Sequence, residues 1–190
     1  MLVALVASMT LGTFVLVLLE QRSDPIFTPS DQLAAVAASG DLMGEEVLST
    51  HETIAPDRWR NIVVHSRADV NDPLVAGCHF LVLPGPDGRG LCVRASDRWK
   101  RQGDGRHIFL PGGDYNRNTI GVCLIGDFDR REPSGRQFGA LVSLIRSLRE
   151  QLGVPADRVY LARYLDLRHR SPGDAFPTER FEYLVRAPLD

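Results

Sequence analysis

The sequence has no surplus of basic charge. Its 190 residues carry 22 Lys and Arg against 24 Asp and Glu, a formal net charge of -2. A nucleic-acid-binding domain shows a basic stripe, which is missing here. Cysteine is scarce: Cys78, Cys92 and Cys123 are the whole set, and none forms a CxxC pair. That spacing argues against a cysteine zinc site, and an odd count argues against a disulfide framework, leaving room for a single bridge. In their apolar surroundings the three read as small buried hydrophobes. No internal repeat or long low-complexity run is present, so repeat architectures are excluded. Charge itself is absent from residues 2–19, LVALVASMTLGTFVLVLL. At about 1.5 Å per residue such a helix falls just short of the roughly 30 Å hydrocarbon core of a bilayer. No basic segment precedes it and no small-residue cleavage site follows. Residues 1–20 are therefore expected to form an uncleaved transmembrane anchor, with a cleaved signal peptide as the alternative. Too few Lys and Arg flank the run to fix its orientation.

What is present suits a packed core: 44% hydrophobic and 24% charged residues. Residues 21–57 read as a linker, with Ser30 as an N-cap, Gly40 as a stop, and Pro25, Pro29 and Pro56 as punctuation. The folded domain is expected over residues 58–190. NIVVHS (61–66) is a short apolar run suited to a buried strand, and CHFLVLPGPDGRGLCVRA (78–95) a hairpin around a turn-rich loop. NTIGVCLIGDF (118–128) is nearly continuous in apolar character, as a central strand covered on both faces would be. Ser134 and Gln137, after Pro133, form the pattern of a capping box. Phe138, Leu141, Val142, Ile145, Leu148 and Leu152 then recur at helical spacing until Gly153. RVYLAR (158–163) is a further strand and PTERFEYLVRA (177–187) a terminal helix. The basic run DRWKRQGDGRH (97–107) is expected to be a solvated loop. Together these predict an α/β domain, a central mixed sheet flanked by helices.

The order RWRNIVVHS, CHFLVLPGPDGRG, RWKRQGDGRH, NTIGVCLIGDFDRREPSGRQFGALVSLIRSL and SPGDAFP resembles the type 2 N-acetylmuramoyl-L-alanine amidases, which share their fold with the peptidoglycan recognition proteins. The resemblance covers roughly residues 58–183, and IGVCLIGDF with the helix start after it is its most specific part. It implies a central mixed sheet with a peptidoglycan groove over one side. It also implies zinc-assisted amide hydrolysis, with three protein ligands and an open position for water.

Carried over residue by residue, the resemblance is incomplete. His65 matches the first zinc ligand, with Ser66 replacing a second histidine. The second ligand, a histidine, falls on Arg163 or, with a one-residue gap, on Tyr164; an arginine has no lone pair to give a metal. The third, a cysteine or aspartate, is Ser171, and serine stands there in non-catalytic recognition proteins too. The family's groove tyrosine is Cys78, and His169 replaces a Lys or Thr two residues before the third ligand. His65, His79, His107 and His169 all lie in segments that the family places near the groove. His79 should face away from its neighbours Cys78 and Phe80, since strand side chains alternate. His107 and His169 are expected to be exposed polar residues.

Three readings follow. The first is a membrane-anchored, zinc-less and catalytically degenerate amidase domain facing the periplasm or cell wall. It would bind peptidoglycan or muropeptides through His65, His107, Arg163, Tyr164, His169 and Ser171, and need no cofactor. Arg106, Arg168 and Arg170 join Arg163 as candidate carboxylate partners. The second is an active zinc amidase using His65 and His169. The third is an interaction module whose groove has closed.

Overall fold

The computed structural model describes residues 46–85, 92–109, 115–166 and 170–188, all within a compact unit spanning Leu33–Asp190. The expected anchor over residues 1–20, most of the linker, and His169 with Arg168 lie outside the described residues. Among the described residues, no helix is long and apolar enough to cross a membrane.

Five strands build one sheet: β1 (Asn61–Arg67), β2 (Phe80–Val82), β3 (Val93–Ala95), β4 (Thr119–Ile125) and β5 (Val159–Leu161), in the order β3-β2-β4-β1-β5. β4 lies at the centre, parallel to β1 and β2. β5 is parallel to β1, and the edge strand β3 runs antiparallel to β2. All seven residues of β4 are buried, as its continuous apolar run requires of a strand covered on both faces. The mixed α/β sheet and the hairpin of β2 and β3 match the sequence reading.

One face of the sheet is apolar apart from Ser66 near the end of β1. Ile62 and Val64, Ile120, Val122 and Leu124, and Phe80 and Val82 pack there beneath two helices, α2 (Gly135–Leu152) and α4 (Thr178–Arg186). Phe138, Leu141, Leu144, Ile145 and Leu148 supply the stripe of α2, and Phe181, Leu184 and Val185 that of α4. Ser134 caps α2 by accepting from the Gln137 N–H, and Gly153 ends it in the left-handed region at φ 68°. The reciprocal half of the expected capping box is not made. The Gln137 side chain turns inward and donates to the carbonyls of Val82 and Ile125, at 3.1 and 2.9 Å. Those carbonyls end β2 and β4, and a buried carbonyl without a donor is costly, so the amide is better used there than at the helix start.

Three further expectations are corrected. The basic run is not simply a solvated loop. Ser96 caps a short helix, α1 (Asp97–Lys100), which buries Trp99 completely against Phe80. The strand read through Arg163 stops at Leu161 and turns into α3 (Ala162–Leu165). Residues 46–57, the end of the expected linker, rest on the domain: Val47, Leu48 and Ile54 pack on the core, and His51 N–H bonds the Lys100 carbonyl.

Candidate functional site

The second face of the sheet carries the polar chemistry. In register, Val63, His65 and Arg67 of β1 share it with Gly121, Cys123 and Ile125 of β4 and with His79 and Leu81. Phe80 points to the opposite face, as alternation demands. Cys78 does not follow the alternation. It sits in the turn closing the 3₁₀ helix Pro73–Gly77, before β2 begins, and reaches the same face as His79 to form a disulfide with Cys123. The bridge closes a separation of 45 residues, and Cys92 stays free and buried. Of the readings left open for the cysteines, the single bridge is the one formed.

Three histidines lie in a row on this face. His65, His79 and His107 are 5%, 0% and 3% exposed. The expectation that His107 is an exposed polar residue is therefore wrong. Two glycines make room for it. A Cβ on Gly121 would lie 2.3 Å from the His107 ring, and one on Gly105 would lie 2.5 Å from it. Glycine in the middle of a buried strand often marks such a close approach, so Gly121 was the sequence signal that could have placed His107.

The hydrogen bonds fix the tautomers. His107 Nε2 stands 3.2 Å from the Thr119 carbonyl, which can only accept, so that nitrogen carries the proton. His107 Nδ1 is then an acceptor, and His65 Nε2 donates to it at 3.1 Å. His79 is pinned in the same way: Nδ1 accepts the Gly121 N–H at 2.9 Å, and Nε2 donates to the Gly103 carbonyl at 3.0 Å. Burial disfavours the charged form of both rings. It lowers the pKa of His79 to about 3, against the opposing bond to Gly103, and that of His107 to about 4, against the opposing bond to Thr119.

Beside this row lies a cavity of about 60 Å³ between β1, α3 and the loop after α1, lined by Val63, His65, His107, Ile108, Ala162, Leu165 and Ser171. Arg67, Leu74 and Phe109 also border it, with Leu74 40% and Phe109 61% exposed. The sequence reading did not single out these three. Two of the expected site residues, His65 and His107, are in direct contact, and Ser171 lines the same cavity.

The remaining expected residues serve other partners. Arg163 donates through Nη2 to the Gly173 carbonyl at 2.7 Å, and its backbone N–H bonds the Ser171 carbonyl, so it braces the loop that carries Ser171. Tyr164 is 51% exposed and donates to Glu182 of α4 at 2.8 Å. Neither lines the cavity. Ser171 Oγ accepts the Ser66 N–H at 2.6 Å. Arg170 pairs with Asp174 at 2.7 Å.

A catalytic zinc needs three imidazole, thiolate or carboxylate donors converging on one point. Among the described residues, no group of three or more His, Cys, Asp or Glu side chains is arranged to hold a metal. His65 offers one imidazole, already bonded to His107 through Nε2. Arg163 is a cation, Tyr164 points to α4, and Ser171 spends a lone pair on a backbone N–H. These residues do not fit the ion.

Comparison with known proteins bears on the family. No curated protein matches the chain in sequence. Among solved structures, the fold is similar to the N-acetylmuramoyl-L-alanine amidase LysC from Clostridium intestinale URNW, with TM-score 0.52 and 18% identity, over 74% of this chain and 94% of that one. It is also similar to a mutant endolysin from Bacillus subtilis, with TM-score 0.50 and 16% identity, over 73% of this chain and 97% of that one. The ectodomain complex of peptidoglycan recognition proteins LCa and LCx bound to tracheal cytotoxin matches at TM-score 0.47 and 25% identity, over 76% of this chain and 91% of that one. The first two likenesses bear on the fold. The model of the N-acetylmuramoyl-L-alanine amidase family, Amidase_2, matches residues 44–174, from the packed segment before β1 through the loop that holds Ser171. With more than half of its length matched, the chain belongs to the N-acetylmuramoyl-L-alanine amidase family.

Proposed function

We propose that this domain binds muropeptides beside His65 without cleaving the bond between muramic acid and L-alanine. The observation that carries the reading is the use to which the ligand positions are put. His65 is tied into a histidine chain ending on the Thr119 carbonyl, Arg163 braces Gly173, and Ser171 accepts from Ser66. For Arg163 and Ser171 this is structural work that a metal centre would have to undo, whereas the Nε2 bond of His65 is of the kind that also orients a ligating imidazole. The cavity of about 60 Å³ is too small to enclose a muropeptide, so the contact would lie across its rim, where apolar walls, the exposed ring of Phe109 and the Arg67 guanidinium, itself 3.8 Å from Asp72, are presented.

The Cys78–Cys123 bridge supports a location outside the reducing cytosol, facing the periplasm or cell wall. The uncharged run at residues 2–19 is the proposed anchor. The test uses the full chain in detergent, with calorimetric titration of purified muropeptides, elemental analysis for zinc, and chromatography of the muropeptides after incubation. Binding with intact muropeptides is expected. Stoichiometric zinc with released peptide would establish the active-amidase reading instead, and no binding would leave the interaction module.

A further inference from the structure

The 3₁₀ helix Pro73–Gly77 forms a ridge over the second sheet face. Its residue Val75 points inward and packs with Cys78, Leu81 and Cys123. Pro73, Leu74 and Ala76 are exposed. With three residues per turn, Leu74 and Gly77 fall on one side of this helix. Gly77 lies against the segment after α1: its carbonyl accepts the Arg106 N–H at 3.0 Å, and a Cβ there would run into the Arg106 backbone. Leu74 and Phe109, both exposed, border one cavity. The ridge therefore runs alongside residues 106–109, and Pro73, Leu74, Ala76 and Phe109 present an apolar edge to solvent. Apolar residues grouped in this way mark an interaction surface.

Guanidiniums flank that edge. Arg98 of α1 donates through Nε to the Ala76 carbonyl at 3.2 Å. Burial, and then the charge of nearby Arg106, hold the Arg98 guanidinium below the usual arginine pKa, against the opposing carboxylate of Asp104. Arg94 of β3 is exposed and stands opposite Leu81 in register, on the same sheet face. The neighbouring carboxylates are committed elsewhere. Asp104 pairs with Arg58 at 2.5 Å, and Asp72 accepts the Leu74 N–H at 2.8 Å with Arg67 3.8 Å away. Among the described residues, Arg94, Arg98 and Arg106 have no carboxylate at ion-pair distance.

The N-terminal part of the chain reaches the domain at α1. Trp99 Nε1 donates to the Leu48 carbonyl at 3.3 Å, and the His51 N–H bonds the Lys100 carbonyl at 2.8 Å, so this segment is fastened to the two residues that follow Arg98. Apolar side chains that enter the acyl boundary, with arginine heads at the level of the phosphates, are the composition of an interfacial membrane contact. We propose that this edge docks on a bilayer with anionic headgroups, Leu74 and Phe109 dipping beneath the headgroups while Arg94, Arg98 and Arg106 face the phosphates. The inference rests on the proposed anchor at residues 2–19 only for bringing the surface to a membrane. It shares Leu74 and Phe109 with the rim of the cavity beside His65 but does not depend on what binds there.

The experiment compares amide hydrogen exchange of the full chain in phosphatidylcholine nanodiscs and in nanodiscs containing phosphatidylglycerol. Slower exchange at residues 73–77 and 106–109 is expected in the anionic discs alone, and high salt should abolish the difference by screening the charges. An arginine near an anionic surface strengthens partitioning about fivefold, so Arg106→Gln should lose about fivefold of the slowing. Leu74→Ser should reduce it as well, and Arg158→Gln, at the other end of the sheet, should leave it unchanged. All three positions are exposed, so the fold is kept. Equal exchange in the two discs, or slowing indifferent to Arg106→Gln, would overturn the proposal. A chain that does not enter the discs would refute the anchor instead, and flotation of that chain with vesicles of either lipid then decides the surface. Recovery with phosphatidylglycerol vesicles alone supports docking, and recovery with neither or with both alike overturns it.

Discussion

Acidification should destabilise this domain through His79, and the size of the effect can be worked from the structure. The ring is fully buried, accepts from the Gly121 N–H and donates to the Gly103 carbonyl. A second ring proton would face the Gly121 N–H, donor against donor. The folded pKa is about 3, against 6.5 for an ordinary histidine, chiefly because burial penalises the charge. The sign follows directly. Below pH 6.5 the unfolded chain takes up a proton that the folded chain refuses, so stability is full above about pH 6.5 and falls as pH drops toward 3. At pH 4.5, two units below 6.5, one such group costs about 2 to 3 kcal/mol, from roughly 1.4 kcal/mol per unit. His107, with its pKa lowered to about 4, acts in the same direction. Urea unfolding at pH 7.5, 6.0 and 4.5 should show the loss. His79→Gln should start lower at pH 7.5, having lost ideal bond geometry, but fall by about 2 to 3 kcal/mol less on acidification. Parallel pH dependences in the two proteins, or a His79 ring signal titrating near pH 6.5 in the folded state, would refute the argument.

Four other outcomes follow from the packing. Gly121→Ala would drive a methyl into the His107 ring at 2.3 Å, and should cost about 2 to 4 kcal/mol in urea unfolding through overpacking and a broken Thr119 bond. Gln137→Leu removes both donors from the Val82 and Ile125 carbonyls and should cost about 2 to 4 kcal/mol, whereas Gln137→Glu, which sets a carboxylate against two carbonyls, should cost more. Reducing the Cys78–Cys123 bridge should lower stability by up to about 4 kcal/mol on a chain-entropy account of its 45-residue loop, an effect read as a drop in Tm with dithiothreitol that Cys92→Ser leaves intact. Tyr164→Phe loses one exposed bond to Glu182 and should change stability by less than about 0.5 kcal/mol, with muropeptide binding unaltered; weakened binding would restore Tyr164 to the site.

The elements legible in the sequence were those whose own residues decide them. The central strand β4 announces itself because seven successive residues must all be buried, and α2 because its apolar residues recur on one face up to Gly153. Gln137 shows where such reading stops. Its place three residues after Ser134 fits a capping box, and half of that box forms. Its side chain is claimed by two strand-end carbonyls, 55 and 12 residues away in sequence, and local pattern carries no trace of either. The cysteines fail for the same reason. Cys78 meets Cys123 because the turn before β2 folds over the register of β4, and a sequence separation of 45 hides that approach.

The candidate site divides along the same line. His65 was placed by its position at the end of a recognisable strand motif, and it does line the cavity. His107 was misjudged because its surroundings in sequence, Arg98, Lys100, Arg101 and Arg106, read as solvent-facing charge. Its burial is decided on another strand. The missing side chain at Gly121 leaves a slot in the sheet face, the loop dips to fill it, and Thr119 supplies the carbonyl that holds the ring. Once His107 is seated, its Nδ1 has one sensible partner, His65 Nε2, and a residue that the family motif offers to a metal becomes a hydrogen-bond donor. On the other side, the Arg163 guanidinium bonded to the Gly173 carbonyl braces the Ser171 loop. Replacing Arg163 with histidine would therefore remove the brace on the Ser171 loop, while the bond from His65 Nε2 to His107 would stay and would hold that imidazole in one orientation.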